Sequence, residues 1–241
     1  MVGSAFVTGA DRGVGLALTG ALLAEGARVF AGQYAAEVPA LQRLKDNYAD
    51  QLHVLRLDIS RDDSVAEALR ATSEHTDRID LLINNGAILG DIKATVMDSL
   101  NYEEMMTVFN VNALGSLRMS QAFMPLLLNG ESKCLVNISS EAGSIGDCRR
   151  DSWYAYCMSK AALNMQSKLI HNRIKPLGGR VLVVHPGWVQ TYMQGKLDVG
   201  ATLTPEQSAG SILKVIEARL KIDAEHLACD YVDYEDRALK W

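Results

Sequence analysis

The chain predicts one doubly wound α/β domain, with a parallel sheet of about seven strands and helices on both faces. Three observations carry that expectation. Short runs rich in Val, Ile and Leu alternate with amphipathic stretches along all 241 residues. The runs are mostly apolar without interruption, as strands buried on both faces of a parallel sheet are. No Pro- or Ser-rich linker, internal repeat or low-complexity segment divides the chain, so residues 1–241 read as one domain.

In chain order, the strand candidates are residues 5–7, 28–31, 53–57, 81–84, 135–138, 181–185 and 227–232. The helix candidates are residues 14–25, 39–47, 63–73, 102–128, 153–174 and 205–221. In the segment 63–73, Val65, Ala68 and Leu69 recur at i, i+3, i+4 and mark a single buried stripe. Pro125 falls inside 102–128, where it should kink the helix or mark its final turn. Strand–helix alternation takes right-handed crossovers. A ligand is then expected outside the carboxyl ends of the strands, near the point where strand order reverses.

The formal net charge of −5 and the lack of a Lys/Arg cluster argue against a nucleic-acid partner. Cys134, Cys148, Cys157 and Cys229 show no C-x-x-C spacing and no pairing with histidines at zinc-ligand spacing, so no metal site is expected. Free thiols suit a reducing compartment. The N-terminus lacks a basic region followed by a long apolar run, and no stretch approaches membrane-spanning length. A cytoplasmic protein without a membrane partner is expected.

The first strand runs into Thr8-Gly9-Ala10-Asp11-Arg12-Gly13-Val14-Gly15 and then a helix. Glycines at such a turn permit positive φ, let backbone approach a pyrophosphate, and bring helix close to sheet. The spacing is G-x-x-x-G-x-G, different from the commonest dinucleotide fingerprint and from the nucleoside-triphosphatase loop. Taken alone, the turn could also be a glycine-rich connection without a ligand.

Two tyrosines stand near the start of a later helix, and only Tyr156 has a lysine four residues on, Lys160; Tyr154 is matched by Met158. An i, i+4 pair shares a helix face. A cation beside a phenol favours the phenolate, and such a tyrosine can exchange a proton with an alcohol or carbonyl oxygen. A lone Y-x-x-x-K is common surface decoration, so the case rests on its company. Ser139 and Ser140 follow the strand ending at Ile138, on the edge where this fold class puts its site.

With these motifs in order, the chain resembles the short-chain dehydrogenase/reductase family over nearly its whole length. Leu57-Asp58-Ile59 resembles the segment whose aspartate meets an adenine ring, and Asn84-Asn85-Gly86-Ala87 resembles the family's N-N-A-G with its last two residues inverted. Asn112 matches the relay asparagine, Ser140 the active-site serine, and Tyr156 with Lys160 the Y-x-x-x-K. Pro186-Gly187, followed by Val189 and Thr191, matches the segment that holds a nicotinamide. The finer pattern is similar to C-factor/sniffer-like carbonyl reductases.

The resemblance implies a Rossmann-type NAD(P)-binding oxidoreductase acting on a small carbonyl or alcohol. It implies catalysis by Asn112, Ser140, Tyr156 and Lys160. Cofactor contacts are implied for Gly9, Arg12, Gly13, Val14, Gly15, Asp58, Ile59, Asn85, Gly86, Tyr156, Lys160, Pro186, Gly187, Val189 and Thr191. In it Tyr156 gives or takes the substrate proton, Lys160 lowers its pKa and holds the nicotinamide ribose, Ser140 polarises the substrate oxygen, and Asn112 helps hold a relay water. Relatives preferring NAD carry an acid at the end of the second strand. Here Gly32-Gln33-Tyr34 stands in that place, and Arg12 could pair with a 2′-phosphate, so NADP(H) is favoured over NAD(H). A homodimer or homotetramer joined through long helices is implied. Two alternatives share the fold: a dinucleotide-binding regulatory or signalling protein, and an isomerase or dehydratase.

Overall fold

The computed structural model describes residues 2–223, 226 and 228–241. Its strands are β1 (Ser4–Val7), β2 (Arg28–Gln33), β3 (Leu52–Arg56), β4 (Leu81–Asn84), β5 (Cys134–Ile138), β6 (Arg180–His185) and β7 (Asp230–Asp233). They form a sheet of order β3-β2-β1-β4-β5-β6-β7 in which every pairing is parallel. The doubly wound Rossmann-type expectation is therefore met. Strand order reverses between β1 and β4, so the turn after β1 and the end of β4 meet at the switch point.

The helices are α1 (Gly13–Ala24), α2 (Pro39–Asn47), α3 (Asp62–Ser73), α4 (Tyr102–Phe109), α5 (Ser116–Asn129), α6 (Tyr154–Ile174) and α7 (Pro205–Leu220). Strand residues alternate between two cores. Val7, Val29 and Ile83 pack with Leu18 and Leu22 of α1, Leu41 of α2 and Ile212 of α7. Phe6, Phe30 and Leu82 pack with Val65 of α3, Met119 and Phe123 of α5, and Ile174 of α6. Both sheet faces are thus covered, which is why the strands read as apolar runs rather than alternations.

Three elements differ from expectation by more than one residue. β2 runs on to Gln33 because pairing with β3 continues through Gly32 opposite Leu55 and Gln33 opposite Arg56. Of the last expected strand, Leu227 lies outside the described residues, and β7 itself covers Asp230–Asp233. The single helix expected over 102–128 is three pieces: α4, a π-helical turn over Asn110–Gly115, and α5, with Pro125 inside α5 near its end. A helical hydrophobic pattern does not reveal one inserted residue, and π turns gather at functional positions.

Candidate active site

The glycine turn is a tight cradle. Gly9 and Gly13 have φ of +63° and +55°. A Cβ on Gly15 would sit 2.1 Å from the Gly9 carbonyl oxygen, and one on Gly9 would sit 2.8 Å from Gly86 Cα. The end of β4 is bolted to the turn. Thr8 Oγ1 accepts from the backbone N–H groups of Asn85 (2.9 Å) and Gly86 (3.0 Å). Asn85 Nδ2 in turn donates to the carbonyls of Thr8 (3.0 Å) and Gly9 (3.1 Å). The close approach demands glycine at position 9, whereas a Cβ on Gly86 would press only on the Ile59 side chain, at 3.1 Å, and the inverted order of Gly86-Ala87 has no structural explanation. At the start of α1, Arg12 makes no side-chain cap and the first turn carries no acid. The cradle and its open N–H groups fit a pyrophosphate.

The other expected cofactor positions surround this turn. Thr191 places Cγ2 3.1 Å from where a Gly13 Cβ would be. Gly187 has φ of +84°, and a Cβ there would strike Leu203. Val189 is buried and bridges Leu203 at the base of the 190–203 loop, which Trp188 Nε1 ties by donating to Asp198 Oδ2 at 2.8 Å. Pro186 receives the Ser208 hydroxyl of α7 on its carbonyl. Ile59 is buried, within reach of Gly86 and Gly115, while Asp58 Oδ1 accepts from Ser60 N and Oγ.

Beyond β2, the Asp11 carboxylate accepts from the backbone N–H groups of Tyr34 (3.1 Å) and Ala35 (2.9 Å), leaving the adjacent Arg12 exposed. Arg56, which the sequence reading missed, holds its guanidinium 5.8 Å from the Tyr34 ring centre. Arg56 and the exposed Arg12 therefore lie by a strand end whose own residues carry no acid, with the Asp11 carboxylate bound to its backbone.

Tyr156 and Lys160 are both buried on α6, while Tyr154 lines a separate small cleft with Asn101, Glu104 and Met105. Lys160 Nζ donates to the Ile138 carbonyl at 2.8 Å and lies 5.6 Å from the Tyr156 ring centre. Burial raises the Tyr156 phenol above its ordinary value, and a hydrogen bond with the Ser140 side chain pulls it back down. Burial lowers Lys160 from the ordinary 10.5 to about 7. In the protein alone, then, Ser140 rather than Lys160 opposes the cost of ionising Tyr156.

Ser140 ends the run from β5 with an extended backbone, and its Oγ also accepts from Ala142 N at 3.2 Å. Ser139 Oγ donates to Asn164 Oδ1 at 2.6 Å, and Asn164 Nδ2 donates to the Gly143 carbonyl at 3.2 Å. Asn112 sits in the π turn with both of its amide donors used. It accepts from Ile88 N (2.8 Å) and donates to Ile88 O (2.8 Å) and Ser159 Oγ (3.0 Å). The loop between Ser140 and Tyr156 is held by Arg150, which donates twice to Glu141 and lies 5.0 Å from the Trp153 ring centre. Trp153 itself meets Tyr156 edge-on.

The family model for short chain dehydrogenase matches residues 4–201, and the chain belongs to that family. It is 35% identical over 171 residues to the protein named C-signal of Myxococcus xanthus, covering 71% of this chain and 98% of that one. Among solved structures it superposes on the carbonyl reductase Sniffer of D. melanogaster with a TM-score of 0.90 at 26% identity, with 100% of both chains covered. The NADPH-bound carbonyl reductase from chicken fatty liver gives 0.87 at 31% identity, covering 100% of this chain and 99% of that one. The chain is thus a short-chain oxidoreductase of carbonyl reductase-like structure.

Proposed function

We propose that the protein is an NADP(H)-dependent enzyme that interconverts a small-molecule carbonyl and an alcohol. The observation that carries this reading is the convergence of Ser140, Tyr156 and Lys160 at the carboxyl end of β5, on the sheet edge that bears the glycine cradle. When bound, the nicotinamide exchanges a hydride with the substrate carbon. Tyr156 donates its hydroxyl proton to the carbonyl oxygen in reduction and accepts a proton in oxidation. The Ser140 hydroxyl holds that same oxygen and favours the Tyr156 phenolate. Lys160, when protonated, adds a cation beside the phenol and has donors for ribose hydroxyls. Asn112 locks the Ile88 loop onto α6.

The NADP(H) preference rests on Arg12 and Arg56 beside a β2 end whose own residues carry no acid, and the NADPH-bound relative supports it. The Asp11 carboxylate there is taken up by the Tyr34 and Ala35 backbone. Val14, Asp58, Ile59, Asn85, Gly86, Pro186, Gly187, Val189 and Thr191 complete the proposed cofactor contacts. Met158, Met165 and Leu169 leave an exposed apolar stripe on α6, the proposed face for a homodimer or homotetramer. Among the described residues no helix is long and apolar enough to cross a membrane, and the proposed location is the cytoplasm.

The test is loss of NADPH absorbance across a panel of ketones and aldehydes. Turnover that disappears in Tyr156→Phe is expected. The similarity to the protein named C-signal motivates one rival, a dinucleotide-binding regulatory protein. NADPH binding without turnover of any carbonyl would favour it.

A further inference from the structure

We propose that Tyr231 and Trp241 are positioning residues for Ser140, so that β7 and the segment after it form a brace setting the Ser140 hydroxyl against Tyr156. The inference rests on the reading that Ser140 and Tyr156 carry the chemistry. Ser140 opens a short 3₁₀ turn, Glu141–Gly143, that lies outside the sheet ladder. From the α6 side, Asn164 holds this turn through Ser139 and Gly143. From β7 the buried Tyr231 hydroxyl, which also meets the Asn164 side chain, donates to the Ser140 carbonyl, and that carbonyl accepts from Gly143 N at 2.9 Å as well. Both lone pairs of that carbonyl are therefore used, and the peptide carrying Ser140 is held by β7 as well as by its own turn. Burial pushes the Tyr231 phenol up to about 12, so it remains a donor at any working pH.

Tyr231 is itself held by the segment that follows. Leu239 N donates to the Tyr231 carbonyl at 2.8 Å, folding the segment back along β7. The Trp241 ring then lies against the Tyr231 ring, with centres 5.3 Å apart. Trp241 O accepts from Gly146 N at 3.0 Å, and Lys240 Nζ pairs with Asp147 Oδ1 at 2.7 Å. A Cβ on Gly146 would stand 3.1 Å from Lys240 Cβ, so the two segments run in contact. The segment thus grips the loop between Ser140 and Tyr156 while its tryptophan backs the tyrosine that holds Ser140. None of these residues reaches the glycine cradle, so the brace should act on the proton-handling groups and leave cofactor affinity alone.

The experiment compares Tyr231→Phe, Trp241→Ala and Trp241→Phe with the unmodified protein. It uses the carbonyl of the panel that turns over fastest, and its alcohol with NADP. Tyr231→Phe keeps the ring and removes the hydroxyl; kcat is expected to fall about fivefold to tenfold, the scale of one lost hydrogen bond. Trp241→Ala should fall at least as far, and Trp241→Phe should recover most of the loss. NADPH affinity, read by fluorescence titration, should be unchanged in all three. The pH profile of alcohol oxidation should also move. Ser140 lowers the Tyr156 pKa, so a misplaced Ser140 raises it and shifts the rising limb to higher pH. An unchanged kcat and limb in Tyr231→Phe, or a kcat loss matched by lost NADPH binding, would overturn the proposal. If Trp241→Ala does not fold, Tyr231→Phe decides. Activity surviving in Tyr156→Phe would defeat the catalytic reading itself, a separate result.

Discussion

At the scale of single residues, burial sets the chemistry of α6. Tyr156 and Lys160 share one helix face, yet each is shifted mainly by lost hydration, and only Ser140 pulls the phenol back. Tyr156→Phe should lower kcat by about 10²- to 10⁴-fold, the span expected for a lost general acid–base, while NADPH affinity measured by fluorescence holds. Lys160 carries a stability cost. Its folded value of about 7 lies below the ordinary 10.5, so between those values the unfolded chain binds a proton that the native chain lacks. Stability therefore rises with pH through that window, and the cost is greatest below it. Lys160→Met should stabilise the cofactor-free protein at pH 7 by roughly 1–3 kcal/mol and abolish turnover. In thermal melts its advantage should shrink as the pH approaches 10; a constant advantage would contradict a buried lysine as the cause. At the other end of the site, Arg12→Ala should cut kcat/KM for NADPH by about 10- to 100-fold, one charge-assisted contact. It should leave NADH little changed, and an NADH preference already present in the unmodified protein would remove the argument.

At the scale of elements, close backbone approach explains what side-chain chemistry cannot. The turn between β1 and α1 packs on the end of β4, and the π turn after α4 packs on Ile59, each at a glycine where a Cβ has no room. Gly15 faces the Gly9 carbonyl, and Gly115 has Ile59 Cγ1 only 2.8 Å from its would-be Cβ. Gly15→Ala should therefore cost roughly 1–3 kcal/mol of stability and weaken NADPH binding, because the cradle must open to admit the methyl. Chemical denaturation and cofactor titration of that variant check both effects. Most elements were legible in the sequence because each follows a local period: apolar runs for strands, the i, i+3, i+4 stripe for α3. The π turn was not, since one extra residue leaves the pattern nearly intact while turning Asn112 toward Ile88 and Ser159.

At the scale of the whole molecule, the sheet divides labour between its two edges. The carboxyl edge gathers the glycine cradle, Ser140, Tyr156 and Gly187. The amino edge holds a polar cavity of about 430 Å³ between Arg28, Asp50, Arg78 and Asp80, lined by none of the proposed site residues. A cofactor that binds only the native carboxyl edge should stabilise the entire fold by mass action. NADPH at about 100 times its Kd should add about 2.7 kcal/mol, raising the melting temperature by roughly 5–10 °C for a chain of this size. NADH at the same concentration should raise it less, and equal shifts would count against the 2′-phosphate reading.

Sequence by itself determined the doubly wound fold, the glycine turn and the Tyr156–Lys160 pair, because each is written in a short period or a fixed local spacing. It singled out Tyr156 over Tyr154 because a lysine one helical turn on must share its face. Only the tertiary structure decided what surrounds them. The grip of Tyr231 on Ser140 spans 91 positions, and the contact of Arg56 with Tyr34 depends on the register of β2 against β3. Such contacts carry no period, since they arise when separately legible elements pack. The same packing makes burial, which no linear pattern records, the dominant influence on the phenol and the amine of the site.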